Sequence, residues 1–321
     1  MDEFERIYQE TLSKVNMEDL ERARRGTLKQ YIIIILLVLA FIVVEIRMFI
    51  KSPDVAIMLW LATPVFLGVL AAGLIILAKR LPQILIGRSK PITGQSYKKQ
   101  YKQTLIRTFV NTYNHDLDFD SSRAIDMESY NLGMFEGYDR FSSNDLIFGK
   151  LAGKTYIEIG DVLTEQEHET EDENGNVHTS YSTLFKGLYG RFTLPISIQN
   201  VIKITTDSKF PFKKDKENVQ MDSGEFEKYF DVSSNDKILA MRILTSDVMD
   251  TILKFKNTSD NFQITINNNH VCIRIPCNNL FETSVTKSAD NKELLKEDYK
   301  YLNFIYGLSQ SILNALENKD I

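Results

Sequence analysis

Two histidines, His168 and His178, sit with Glu165, Glu167, Glu169, Glu171, Asp172 and Glu173 in the most acidic stretch of the chain. Imidazoles and carboxylates together suit a divalent cation. The spacing matches no EF-hand loop, so a solvated hairpin tip is the expected reading. A second polar group, Asn114-His115-Asp116 with Asp118 and Asp120, reads as a loop between helices or as a set of acid–base groups. If the chain is an enzyme, Asp116, Asp118, Asp236 and Glu282 are the carboxylates to test. Arg242 stands between apolar neighbours. It suits a ligand anion, or an ion pair inside the fold with Asp231, Asp236 or Asp247.

None of the motifs that carry familiar chemistry occurs. There is no P-loop, dinucleotide fingerprint, nucleophile elbow or zincin signature. Cys272 and Cys277 lack C-x-x-C spacing and read as reduced thiols. No cofactor is expected. A net charge of −5 gives no reason to expect nucleic acid as a partner.

The elements that must carry these residues begin with two apolar runs. Tyr31 to Ile50 is long enough, at helical rise, to cover a hydrocarbon layer of about 30 Å. Glu45 and Arg47 fall in its last quarter, near an interface. Val55 to Ala78 carries no charge; Pro64 is a kink candidate, and Gly68, Ala72 and Gly73 offer a small-residue packing face. Lys51-Ser52-Pro53-Asp54 between the runs predicts an antiparallel transmembrane hairpin. Arg22, Arg24, Arg25 and Lys29 precede the first span. Lys79, Arg80, Arg88 and Lys90 follow the second, with Lys98, Lys99 and Lys102 beyond. The positive-inside rule then places both termini in the cytosol. Only Arg47 and Lys51 flank the short loop; Arg22, Arg24, Arg25, Lys29, Lys79, Arg80, Arg88 and Lys90, at the two inner boundaries, are also candidates for contact with anionic headgroups.

The expected organisation is an amphipathic helix over residues 1–27, a hairpin over 28–81 with spans near 31–50 and 55–78, a linker over 82–96, and a soluble domain over 97–321. The first helix carries Phe4, Ile7, Tyr8, Leu12 and Val15 on one stripe and should pack on the soluble domain. Helical period returns over Tyr97 to Tyr113, and Asp120 or Ser121 is expected to cap a helix running to Tyr130. Thr155–Leu163 and Tyr181–Leu194 read as strands on either side of a tip ending in Asn174-Gly175. Ser197–Thr206 reads as a further strand. Asp222 reads as the cap of a helix over Glu225–Phe230, and Ser246–Lys256 as another helix. Phe262–Ile266 and His270–Ile275 read as a hairpin turning at Asn267-Asn268-Asn269, and Lys292–Glu317 as a long last helix. Strands and helices without regular alternation predict an α+β class with an antiparallel sheet.

Several phrases add a resemblance: Gly149-x-x-Ala152-Gly153; Phe185-Lys186-Gly187-Leu188-Tyr189; the run from Glu225 through Asp236 to Thr245, continuing to Val248-Met249; and Phe281-Glu282. With a preceding transmembrane hairpin, this pattern resembles the bacterial family catalogued as domain of unknown function 3137. The resemblance implies a membrane-attached cytosolic domain with no assigned catalytic residues, and hints at a membrane partner of the LemA type. Arg242, Phe185 and Lys186 are its candidate ligand or interaction positions. The expectation is therefore a membrane-anchored interaction module of the bacterial cell membrane, binding a protein or lipid headgroups. The alternative is a tethered enzyme using the carboxylates named above.

Overall fold

The computed structural model describes residues 2–51, 97–151, 155–172, 175–206, 218–256, 259, 261–278 and 280–317. The expected second span at 55–78 and the linker at 82–96 lie outside them, as do Lys79, Arg80, Arg88 and Lys90. The chain divides into two compact units. One holds residues 1–15, 102–282 and 291–321; the other holds 16–101 and 283–290.

The larger unit is α+β. Its six-stranded antiparallel sheet runs β1 (Leu117–Asp120), β2 (Arg140–Leu151), β3 (Thr155–Glu171), β4 (Val177–Thr206), β5 (Phe230–Ser234), with β6 (Gln263–Pro276) also paired to β4. Register places Phe119, Ile147, Ile159, Gly190 and Ile273 in one row across five strands. All are buried. The last helix, α8 (Lys292–Glu317), seats Ile305 over Gly190, whose missing side chain leaves room for it. The next row, Phe148, Glu158, Arg191 and Cys272, faces the other way. That face is covered by the segment around the short helix α5 (Met127–Asn131), with Tyr130 packed 5.2 Å from Tyr189, 5.4 Å from Phe135 and 5.4 Å from Phe141. Because both faces are covered, the central strands are buried on both sides.

Helix α1 (Glu3–Lys14) packs on this unit, as its apolar stripe predicts. Phe4 lies 5.4 Å from Tyr299, Glu5 pairs with Lys292 at 2.5 Å, and Lys14 reaches Thr112. It ends earlier than the expected residue 27. Asn16 accepts from the Asp19 N–H, so it caps a new helix instead of continuing the old one.

Several expected boundaries shift for identifiable reasons. Tyr181–Leu194 and Ser197–Thr206 are one strand, β4, with its register break on β6 between Thr193 and Ile198, where Pro195 can be tolerated. Opposite it, the expected Asn hairpin is a single strand, β6. Asn268 takes φ 53 and makes an irregularity, not a reversal. Asp222 caps no helix. Ser223 Oγ accepts from Phe226 N–H at 3.2 Å, and only a 3-10 turn, Phe226–Lys228, follows before β5. The cap of α5 is Asp126, not Asp120 or Ser121. Ser246–Lys256 (α7) and α8 keep the expected bounds.

In the smaller unit, α2 (Met17–Lys51) is 35 residues long, and its most apolar window has a mean hydropathy of 2.5 with none of it buried. Its polar first turns hold Glu21, which accepts from Arg24 and from the Ala289 N–H, while Arg24 also donates to the Val285 carbonyl. This is one helix long and apolar enough to cross a membrane among the described residues. The first span is thus placed on a helix, and the hairpin expectation is reduced to that coarser statement.

Gly187 has no room for a Cβ, which would lie 2.1 Å from the Ile275 carbonyl oxygen on β6. Gly187→Ala should therefore part the β4–β6 pairing and cost about 2 kcal/mol or more. A lowered thermal midpoint of the full chain in detergent would show this, and an unchanged midpoint would contradict it.

Candidate functional site

The described residues converge most closely around a lysine. Lys102 opens a π turn (Lys102–Ile106) that links α3 (Tyr97–Tyr101) to α4 (Arg107–Tyr113). A π turn inside a helix costs regular hydrogen bonding and is frequent at functional positions. Lys102 Nζ donates to Asp145 at 2.5 Å and to Glu282 at 2.7 Å, and the lysine side chain is only 6% exposed.

Both partners arrive on irregular backbone. Asp145 has φ 58 and lies where the β2–β3 register shifts between Asn144 and Ile147. Glu282 follows Phe281, a bulky residue held at φ 54, where a side chain is strained. Phe281 is held there by its N–H, which donates to the buried Asp298 of α8 at 2.9 Å, and by packing its ring 5.7 Å from Phe119. Such strain persists only where the surroundings over-determine it.

The electrostatics follow from one cation among several acids. Burial works against the charge on Lys102, but its hydrogen bonds to Asp145 and Glu282 outweigh that and raise its pKa. Burial pushes Asp161 of β3 up to about 8, with the nearby Asp145 adding to it. Burial likewise raises Asp298 to about 7, against the Phe281 N–H, which favours the charged form. The Cys277 thiol is pushed up to about 12 by burial and by Asp161. An ammonium held charged is a poor nucleophile and a thiol held protonated is inert. What the cluster can do is hold or release protons on Asp161 and Asp298 near neutral pH.

The sequence-derived candidates mostly lie elsewhere. Of the four test carboxylates, Glu282 alone joins the cluster. Asp118 makes a two-pronged pair with Arg107 at 2.7 and 2.6 Å, Asp236 caps α6 (Lys237–Ile243), and Asp116 lies exposed beside β1. Phe185 is core, packed near Tyr130 and beneath Arg274, while Lys186 is exposed. Arg242 is exposed on α6. Arg22 pairs with Asp19, Arg25 with Glu21, and Lys29 is exposed. Arg24 differs, since its side chain is 12% exposed and spent on Glu21 and Val285, which leaves little of it for a headgroup. His168 contacts Ser182 and His178 contacts Asp172 on the exposed β3–β4 arm. Among the described residues no three His, Cys, Asp or Glu side chains are placed to hold a metal. A half-open cavity of ≈ 270 Å³ lies on the α5 face, lined by Met134, Phe135, Glu136, Lys203, Gln263 and Thr265 among others.

Lys102 was read as a topology charge, and Asp145, Asp161 and Asp298 had no reading. One signal was present: Asp298 interrupts the apolar stripe of α8 between Leu295 and Leu302, where a solvated acid does not belong.

The fold and its buried cluster define an α+β sheet-and-helix domain joined to a long apolar helix. Residues 183–313 match the family model described as Protein of unknown function (DUF3137). No curated protein matches the chain. A crystal structure of the mycobacterial trehalose monomycolate transport factor A, TtfA, is similar at 10% identity and a TM-score of 0.30, over 65% of this chain and 93% of that one. A likeness that slight carries no argument about function.

Two outcomes follow from this geometry. Lys102→Met should cost about 3–5 kcal/mol, because it leaves buried carboxylates without their cation; Lys102→Met with Asp145→Asn should recover part of the loss in chemical unfolding. The second concerns pH. Asp298 is raised when folded, so its contribution is complete below the ordinary carboxylate pKa and is lost as pH climbs through about 7. The thermal midpoint should fall between pH 5 and pH 9, and Asp298→Asn, whose amide oxygen still accepts from Phe281, should fall less.

Proposed function

We propose that this chain is a membrane-anchored interaction module whose α+β domain binds a protein partner or lipid headgroups at a membrane surface. The observation that carries the reading is α2. Ile35, Leu36 and Val43 are 57%, 59% and 53% exposed there, in a helix whose most apolar window has no buried residue. A contiguous apolar surface of that kind in water would drive association, whereas in lipid it is at rest. The sequence extends the proposal to a second span, both termini in the cytosol and a bacterial cell membrane, and the family resemblance suggests a LemA-type partner.

The enzyme alternative is weaker on its own terms. Two of its four carboxylates are in structural bonds: Asp118 pairs with Arg107 and Asp236 caps α6. Acid–base work requires such groups within reach of one another or of one substrate atom.

Alkaline carbonate washing of membranes tests the anchor. The full chain should stay in the pellet and enter solution with detergent; release by carbonate alone would sink the proposal. Protease added outside intact cells should leave the α+β domain whole.

A further inference from the structure

The half-open cavity on the α5 face lies wholly within the larger unit, and strand register builds its floor. Lys203 of β4 stands opposite Thr265 of β6, and Thr205 opposite Gln263. Residues directly opposite on an antiparallel pair share a face. Lys203 shows which face this is, because its Nζ donates to the Met134 carbonyl, just after α5, at 3.4 Å. The alternate residues, Ile202, Ile204, Ile264 and Ile266, point the other way and are buried. Met134, Phe135 and Glu136 form the wall, and the enclosed volume is ≈ 270 Å³.

The polar groups of the floor are under-used. Thr265 is 2% exposed, yet its hydroxyl makes no hydrogen bond to another described residue. The side chains of Thr205 and Gln263 make none either. A buried hydroxyl without a partner costs free energy, and one that lines a cavity is satisfied by a polar molecule bound there. Lys203 carries three donors, and one long bond to a carbonyl is a weak use of an ammonium. Glu136 on the wall is already neutralised, since Arg274 holds both its oxygens at 2.7 and 2.6 Å. The charge left over in the cavity is a single positive one, on Lys203.

We propose that this cavity binds a small hydroxylated carboxylate of the sugar-acid type, its carboxylate on Lys203 and its hydroxyls on Thr205, Gln263 and Thr265. One ammonium matches one carboxylate. A phosphate dianion would bring a second negative charge beside Glu136, where the Arg274 guanidinium is already committed. A neutral sugar would leave Lys203 without an anion, and an apolar ligand would leave the floor unpaired. Each ligand hydroxyl both donates and accepts, so it suits a threonine hydroxyl and either end of the Gln263 amide. The volume is at the small end of ligand pockets, which fits a molecule of monosaccharide size. Met134 holds φ 50 at the rim, a strained position of the kind that gathers at ligand sites.

The full chain, in a detergent without a sugar headgroup, is titrated at neutral pH and low salt with D-glucuronate, D-glucose or inorganic phosphate. Binding is read by calorimetry. D-glucuronate should saturate a single site, with D-glucose and phosphate each at least about tenfold weaker. Lys203→Met should weaken D-glucuronate about tenfold and leave D-glucose unchanged, with the thermal midpoint showing that the variant is folded. Thr265→Val, which keeps the shape and removes the hydroxyl, should weaken D-glucuronate several-fold. No saturable binding of D-glucuronate up to about 20 mM overturns the proposal. So does glucose or phosphate binding as tightly as glucuronate, or a Lys203→Met protein that binds like wild type. If Lys203→Met does not fold, Lys203→Gln, whose amide can still donate to the Met134 carbonyl, takes its place with the same expectation. None of these readouts depends on membrane extraction, so the fate of the anchor and the fate of this site remain separate findings.

Discussion

An ammonium group cannot be taken from water into a protein interior unless anionic partners are brought to it, and Lys102 imposes that requirement on three parts of the chain at once. The helix that carries it departs into a π turn, β2 bulges to present Asp145 in a left-handed conformation, and the approach to α8 holds Phe281 left-handed so that Glu282 reaches the same nitrogen. None of these irregularities has a local cause. Together they have one, the neutralisation of a single buried charge, and Asp298 anchors the most strained of them through the Phe281 N–H.

The sheet makes this economical because its two faces do different work. One face is apolar and lies under α8, with Gly190 admitting Ile305. The other pairs its charges as it buries them: Arg191 bonds Glu158 at 2.8 Å, and Arg274 bonds Glu136 while lying 4.5 Å over the Phe135 ring. A guanidinium between a carboxylate and an aromatic face is a stable way to cover polar sheet, and it explains the phenylalanines and tyrosines between Tyr130 and Phe141. Beyond Glu165 on β3 the hairpin with β4 leaves both covers behind, and its residues turn exposed and polar. Solvent reaches this arm, and its histidines are held by neighbours on it, His168 by Ser182 and His178 by Asp172.

Burial decides what such a cluster can do: a surface ion pair would be screened and weak. In a half-buried set of carboxyls with one shared cation, the gain or loss of one proton changes which bonds can be made.

The sequence by itself determined what depends on local pattern. The apolar run at Tyr31–Ile50, the stripe of α8, the helix at Ser246–Lys256, the acidic hairpin tip and the family phrases are all readable because each is a repeat of period two or near four, or an uninterrupted block. Tertiary structure alone decided what depends on distant residues. The Asn triplet becomes an irregularity instead of a turn because β4 offers a continuous partner, Ser223 and Asp126 take the capping roles given to their neighbours, and Arg242 turns outward. Above all, Lys102, Asp145, Asp161, Glu282 and Asp298 are spread over nearly two hundred residues, with no spacing that links them. A local pattern cannot report a charge whose partners are chosen by the folding of the whole chain, and only the interrupted stripe at Asp298 hinted that one was buried there.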